Sequence, residues 1–471
     1  DRSHDAVFDL IDQTYQEFIG ALLTEAKLLA NGKGKTKPEK HQAVEKGQKL
    51  AEQCKKYEEC LKEALDLQEK RTLVQQQEYL GDHCIVERET RQLEDLPAKT
   101  MALYTIVLGD DRLGNARIAL ITQSAEGIKL LEDPPDAKKL KELVNAVRRD
   151  LLVEAPKTEV DPRLQELYAR LFGPLNLNLE QIKTLIVVPD GWLRLVPYAA
   201  LRDTTGKYAI ERVAIGIVPG RRVLGRNPTD IAKGSVLIAG VSKFRQMAEP
   251  AGGVKPTMLE DLRSSAQRQG LFLDALEDLP GVATEMDDLE ALFKEAKIDS
   301  KPLPEENFTK ENFSAALKDP NTRIIHIASH GWFGERGEDN FVVAYDQLLD
   351  RDSWPSEILS RQRGNSLRDN PIELVTLSAC QTAQGSDRAP LGLVGAAIRA
   401  RARSALGSLW PVRDDAARVL MKHFYTELLG TAKQEKVRAL QQAQINMIKS
   451  NDERFQHPAS WASFVLVGNW R

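Results

Sequence analysis

The sequence predicts an α/β protein, with a mostly parallel sheet flanked by helices and an N-terminal helical region ahead of it. Three observations predict it. Short apolar runs rich in Ile, Leu and Val, such as residues 323–331, 373–383 and 404–410, lack the alternation of a half-exposed strand. Runs of that kind suit strands buried on both faces of a parallel sheet. Stretches of helical period lie between many of the runs from about residue 161 onward, the βα alternation that builds such a sheet. The first eighty residues instead repeat apolar side chains at three- and four-residue steps, as on one face of a helix.

The chain is 471 residues long, enough for two or three domains with a sizeable core. Its hydrophobic content of 42% and charged content of 28% are ordinary for a globular chain. A net charge of −4 argues for neither a nucleic-acid nor a membrane-surface partner. No apolar run approaches the roughly 20 residues that span a bilayer. The opening Asp-Arg-Ser-His has no Met and no signal-like apolar core, so a piece of a longer protein is expected. Four cysteines, at 54, 60, 84 and 380, point to a reducing compartment and hence a cytoplasmic location.

Phe8, Ile11, Tyr15, Phe18, Leu22, Ala26 and Leu29 mark a first helix that stops at Asn31-Gly32. Val44, Ala51, Cys54, Tyr57, Leu61 and Leu65 mark a second, continuing to about Tyr79. The pair forms a helical hairpin that resembles the edge of a helical repeat array, so residues 1–97 are expected to be an interaction region. Cys54 and Cys60 fall within the helical pattern without metal-ligand spacing. They are expected to be small buried hydrophobes, with no metal bound. In the joining loop, Gly34-Lys35-Thr36 looks like the end of a P-loop, but the first glycine of that motif would fall at Leu29 and no strand precedes it. No cofactor is expected.

Residues 101–108 and 116–122 flank Gly109-Asp110-Asp111-Arg112 and read as a β-hairpin. With an amphipathic helix through Leu140, Val144, Val147 and Leu151, this makes 98–160 a lead-in to a main domain at 161–471. That domain opens with a helix through Leu164, Leu167, Tyr168 and Leu171, ended by Gly173-Pro174. Strands are expected at 184–189, 195–201, 208–218 and 236–241. Residues 242–279 carry little period, and Leu279-Pro280-Gly281 leads into a helix through Met286, Leu289 and Phe293. Residues 332–370 read as a long polar loop of the sort that carries specificity at the carboxyl end of a sheet. Two helices, through Phe424 and through Leu440, precede a last strand at 464–467.

The chemistry concentrates between residues 323 and 415. The run Arg-Ile-Ile-His-Ile-Ala-Ser-His-Gly ends at His330-Gly331, and Glu-Leu-Val-Thr-Leu-Ser-Ala-Cys reaches Cys380. A third run stops at Pro411, with Asp414 just beyond. Side chains that act on ligands gather at the carboxyl ends of parallel strands, so His330, Cys380 and Asp414 form a candidate constellation. An imidazole can hold a nearby thiol as thiolate and pass a proton to a leaving amine. Gly331 leaves room for a substrate, and the N–H groups of Gly331 and Cys380 suit a developing oxyanion. His326, four residues before His330, reads as structural. No Gly-x-Ser-x-Gly elbow and no His-Glu-x-x-His helix occurs.

Three motifs in this order, His-Ile-Ala-Ser-His-Gly, Leu-Ser-Ala-Cys-Gln-Thr and Gly-Ser-Leu-Trp-Pro-Val-Arg-Asp, resemble the CHAT family of caspase-like proteins, often attached to tetratricopeptide repeats. The likeness runs from about Leu164, through Val188-Pro189-Asp190-Gly191, to Phe464-Val465-Leu466-Val467-Gly468. It implies a caspase-type α/β fold and a cysteine endopeptidase with a His–Cys dyad, His330 as general base and acid and Cys380 as nucleophile. The pattern 409–414 is similar to one in separase, where the aspartate receives a basic P1 side chain. That implies an S1 role for Asp414, favouring Arg or Lys by charge. The competing reading is an acid at a helix N-terminus, and Arg413 beside it would favour an acidic P1. The family often has threonine where Ala417 stands and an acidic or small residue where Arg413 stands. The expected partners are a protein substrate and a regulatory protein bound by the N-terminal helices. The rival is a non-catalytic scaffold that binds protein partners with the same surfaces.

Overall fold

The computed structural model describes residues 2–30, 56–80, 96–109, 115–131, 135–175, 181–220, 231–244, 277–333, 340–350, 371–378, 380–382, 402–430 and 435–471. They fall into two units. The first comprises 1–150, 158–196 and 201–224, and the second 151–157, 197–200 and 225–471.

In the first unit, α1 (Arg2–Ala30) packs on α2 (Tyr57–Leu80). Ile19, Leu22, Leu23 and Ala26 form the buried stripe of α1, and Cys60, Leu61, Ala64 and Leu65 that of α2. Cys60 is thus the small buried hydrophobe its position predicted. The joining loop, Cys54 and Cys84 lie outside the described residues. The expected hairpin is present as β1 (Thr100–Leu108) and β2 (Arg117–Ser124), antiparallel, and β3 (Gly127–Leu130) extends it. On its other side β1 pairs in parallel with β4 (Thr184–Pro189), and β4 with β5 (Ala214–Ile217). Helices α3 (Ala137–Leu152) and α4 (Lys157–Leu171) follow the predicted apolar spacing.

Two strand expectations are corrected here. Residues 195–201 hold no strand. The chain there makes two 3-10 turns, Gly191–Leu195 and Tyr198–Ala200. Gly191 takes a left-handed φ of +50°, and Pro197 has no N–H for a ladder. The run is apolar because the turns are buried, which periodicity alone does not distinguish from a strand. Residues 208–218 likewise divide into one helical turn, Ala209–Arg212, and β5.

Arg71 is a buried link between the helical hairpin and this sheet, beside the bonds of Gln16 to the Gly109 N–H and of Tyr57 to the Leu130 N–H. Arg71 of α2, 4% exposed, donates from Nη1 to Asp190 Oδ2 at 2.6 Å and to the Val107 carbonyl at 3.2 Å. Its Nε and Nη2 form a fork on Asp12 of α1, at 2.7 and 3.0 Å. Asp190 closes β4 and also accepts the Val107 N–H at 3.0 Å. Burial of the guanidinium works to lower its pKa, but the two carboxylates outweigh it and hold the group above its ordinary value.

In the second unit the sheet contains β6 (Ser235–Gly240), β7 (Asp299–Pro304), β8 (Thr322–Ala328), β12 (Leu374–Leu377), β14 (Ser404–Ser408) and β15 (Phe464–Gly468). Their order is β15-β14-β12-β8-β6-β7, and every pair is parallel except β14 with β15. Every residue of β8, β12 and β14 is buried, as the non-alternating runs predicted. Full burial of side chains such as Ile324, Ile325 and Ile327 is worth about 1.5–3 kcal/mol each. Helices α5 (Pro280–Glu295), α6 (Lys310–Leu317), α7 (Asp414–Leu429) and α8 (Lys436–Ile448) connect or cover the strands, with α5 packed on α7.

Part of the expected loop at 332–370 is strand. β9 (Gly331–Phe333), β10 (Phe341–Val343) and β11 (Leu348–Asp350) form a small sheet with β13 (Cys380–Thr382), in the order β11-β10-β9-β13. Residues 334–339 and 351–370 lie outside the described residues. Among the described residues no helix is long and apolar enough to cross a membrane.

Candidate active site

β8 and β12 are direct parallel neighbours, with Ile327 opposite Leu377, and β14 follows β12. Their carboxyl ends therefore point the same way, side by side. Past those ends the chain continues as β9 and β13, again parallel, with Gly331 opposite Cys380. Neighbouring strands lie about 4.8 Å apart, so the Cys380 backbone borders the residue that follows His330. The Cys380 side chain lies outside the described residues. Gly331 also pairs with Val342 of β10, so it has a strand on either side.

His330 is 5% exposed. Its carbonyl accepts the Val343 N–H at 2.8 Å, and the Ser329 hydroxyl donates to the Val343 carbonyl, which fixes the backbone on both sides of the ring. The Phe244 ring meets the imidazole edge to face, with centroids 4.4 Å apart. Nε2 lies 2.9 Å from the Glu277 carbonyl. A carbonyl only accepts, so Nε2 carries the proton and Nδ1 is the nitrogen left to take one. Burial pushes the His330 pKa below 6.5, and the Glu277 carbonyl partly offsets it. The basic form thus persists to more acidic pH than in a free histidine. If His330 serves as base, the acidic limb of kcat/KM should lie below pH 6.5, and a pH–rate profile checks this.

Asp414 opens α7. Its Oδ2 accepts the N–H of Gly281, in the first turn of α5. A Cβ on residue 281 would come within 2.6 Å of that oxygen, so the Gly of Leu279-Pro280-Gly281 is what permits the approach. Oδ1 is buried without a hydrogen-bond partner among the described residues. Burial raises the Asp414 pKa, with Glu285 and Asp415 adding to the rise and the Gly281 bond opposing it. The carboxylate therefore does serve a helix N-terminus, that of the neighbouring α5, while one oxygen remains uncommitted. Arg413 pairs with Asp415.

Residues 277–281 link these two groups, since the Glu277 carbonyl meets His330 and the Gly281 N–H meets Asp414. Five consecutive residues span at most about 14 Å between their end Cα atoms, so both groups border one short segment. Sequence reasoning placed His330 and Asp414 but not the Glu277 carbonyl or Phe244. A backbone acceptor has no residue signature, and Phe244 stands in a stretch without period. Among the described residues no group of His, Cys, Asp and Glu side chains could hold a metal ion.

The comparisons bear on the family and the fold. The CHAT domain model matches residues 161–469, and the chain belongs to the CHAT-domain family. Tetratricopeptide repeat protein 28 from mouse is 24% identical over 334 residues, and the human protein 25% over 345 residues. Each match covers 65% of this chain but only 13% of the relative's length. Among solved structures, separase from Saccharomyces cerevisiae, in its complex with securin, superposes with a TM-score of 0.52 at 10% identity. That match covers 90% of this chain and 35% of separase. The fold is therefore the caspase-like α/β fold expected from the motifs.

Proposed function

We propose that this chain is a cysteine endopeptidase acting through a His330–Cys380 dyad. The observation that carries the reading is the pairing of Gly331 with Cys380 beside an imidazole whose Nε2 is held by the Glu277 carbonyl. In the proposed reaction His330 Nδ1 takes the thiol proton, the thiolate attacks the peptide carbonyl, and the imidazolium returns the proton to the leaving amine. Water then attacks the thioester with the same base, releasing the acid and restoring the thiol. The Cys380 N–H is the proposed oxyanion donor, since β13 has a hydrogen-bonded neighbour on one side only among the described strands. Gly331, expected as a second donor, lies between two strands, so its N–H faces a ladder.

Asp414 is proposed to receive a basic P1 side chain. Its buried, uncommitted Oδ1 supports this, because an Arg or Lys cation would supply the missing partner. The N-terminal helices are proposed to bind a regulatory protein that controls cleavage, and the location is proposed to be cytoplasmic. A peptide library presented to the wild-type chain, with and without candidate partner proteins, tests the reading. Cleavage is expected after Arg or Lys and to be absent with Cys380→Ala. Cleavage that survives Cys380→Ala removes the nucleophile assignment, and cleavage indifferent to P1 charge removes the role of Asp414.

A further inference from the structure

Beneath the strand ends lies a chain of polar groups inside the apolar core of the second unit. Thr376 Oγ1 is 2.8 Å from the Tyr425 hydroxyl, which is 3.2 Å from His326 Nδ1. Glu285 Oε1 is 2.9 Å from His326 Nε2. That last approach lies within ion-pair distance but does not meet hydrogen-bond geometry. His326, Thr376 and Tyr425 are 0% exposed and Glu285 is 1% exposed. The Tyr425 ring also meets Phe293 of α5 edge to face at 5.3 Å.

Such a cluster is a poor source of stability. Each polar group loses its water, and apolar side chains of similar volume often give equal or greater stability. What a buried polar chain does supply is a unique register, because any slip leaves its members unpaired. Its four members sit on four elements, and each of those elements delivers one part of the site. His326 and Thr376 are direct partners across β8 and β12. Four residues further along those strands stand His330 and Cys380. Glu285 lies about one helical turn beyond Gly281 on α5, the helix that the Glu277 carbonyl precedes. Tyr425 lies about three turns beyond Asp414 on α7, on the same side of that helix. A slip of β12 by two residues against β8 would keep the same faces buried yet move Cys380 by about 6.6 Å.

We propose that Thr376, Tyr425, His326 and Glu285 are positioning residues that hold the dyad strands and the two helices bordering the site in one register. The inference rests on the peptidase reading, and its test is built to separate the two. The full chain is compared with Thr376→Val, Thr376→Ser and Tyr425→Phe, with activity measured per folded molecule. The hydroxyl-deleting variants are expected to lower kcat about tenfold or more, since displacements near 1 Å can cost about a hundredfold. KM should stay within about twofold, and Thr376→Ser should retain most of the wild-type kcat. A role in stability alone would lower the melting temperature of all variants without lowering kcat of the folded fraction, and that result overturns the proposal.

The second readout needs no activity. The imidazole nitrogen signals of His330, assigned by their loss in His330→Gln, are expected to shift or broaden in Thr376→Val and Tyr425→Phe as the Nε2 contact with Glu277 loosens. If wild type cleaves nothing, the peptidase reading fails and these signals decide. Unchanged His330 signals in both variants overturn the positioning role, and altered signals in folded variants sustain it.

Discussion

His330→Gln is expected to lower kcat for peptide cleavage by about 10²–10⁴-fold, the usual contribution of a positioned general base. Glutamine preserves much of the side-chain volume between Phe244 and the Glu277 carbonyl. Its amide can donate to that carbonyl, but it supplies no nitrogen that exchanges a proton near neutrality. Cys380→Ala is expected to remove the remaining activity. The double variant should be no worse than Cys380→Ala alone, because groups that act as one unit lose their effect together. Additive losses would mean that the two residues serve separate steps. Single-turnover assays at saturating substrate make the comparison free of binding effects.

Arg71→Met is expected to cost the first unit about 3–5 kcal/mol, the usual loss when one partner of a buried ion pair is removed. Methionine keeps part of the aliphatic stem but leaves Asp190, with a 3% exposed side chain, without its nearest cation. The Val107 N–H at 3.0 Å and Arg194 Nη2 at 3.4 Å are then its remaining contacts. Asp12 has a 27% exposed side chain and can turn to water, so most of the loss arises at Asp190. Adding Asp190→Asn should restore part of it by removing the unpaired charge, a coupling read from the double-mutant cycle. Urea unfolding with hydrogen exchange of β4 and α2 measures both. A loss under about 1 kcal/mol would show that the hairpin is held by its apolar stripe rather than by Arg71.

Much of the second unit's fold is legible in the residues. β8, β12 and β14 announce themselves because strands covered on both faces need no polar alternation. The approach of the Cys380 backbone to the residue after His330 follows from setting each just past the carboxyl end of such a strand. The turns at 191–200 were illegible because burial rather than backbone form makes them apolar. β9, β10 and β11 are three residues each, too short for any period to emerge. β7 carries two prolines in six residues, which argue against a strand, yet it lies at the end of the strand order, where missing N–H groups are tolerated. At Asp414 both sequence readings draw on the same residue. Its Oδ2 serves the α5 N-terminus, and the charge-recognition reading now concerns Oδ1. The Thr376–Tyr425–His326 contacts join residues far apart in the chain, and each looks like ordinary core or structural histidine until the strands are paired.

The central claim is that the imidazole of His330 activates the sulfur of Cys380, and the alkylation rate of Cys380 at pH 6 tests it most directly. A thiol of ordinary pKa, about 8.5, is well under one per cent thiolate there. Site-resolved mass spectrometry would follow Cys380 against Cys60, which is buried, and against a small model thiol. The account predicts that Cys380 reacts at least tenfold faster than the model thiol in wild type and loses that advantage in His330→Gln. A Cys380 that reacts no faster than the model thiol, or equally fast without the imidazole, would contradict it.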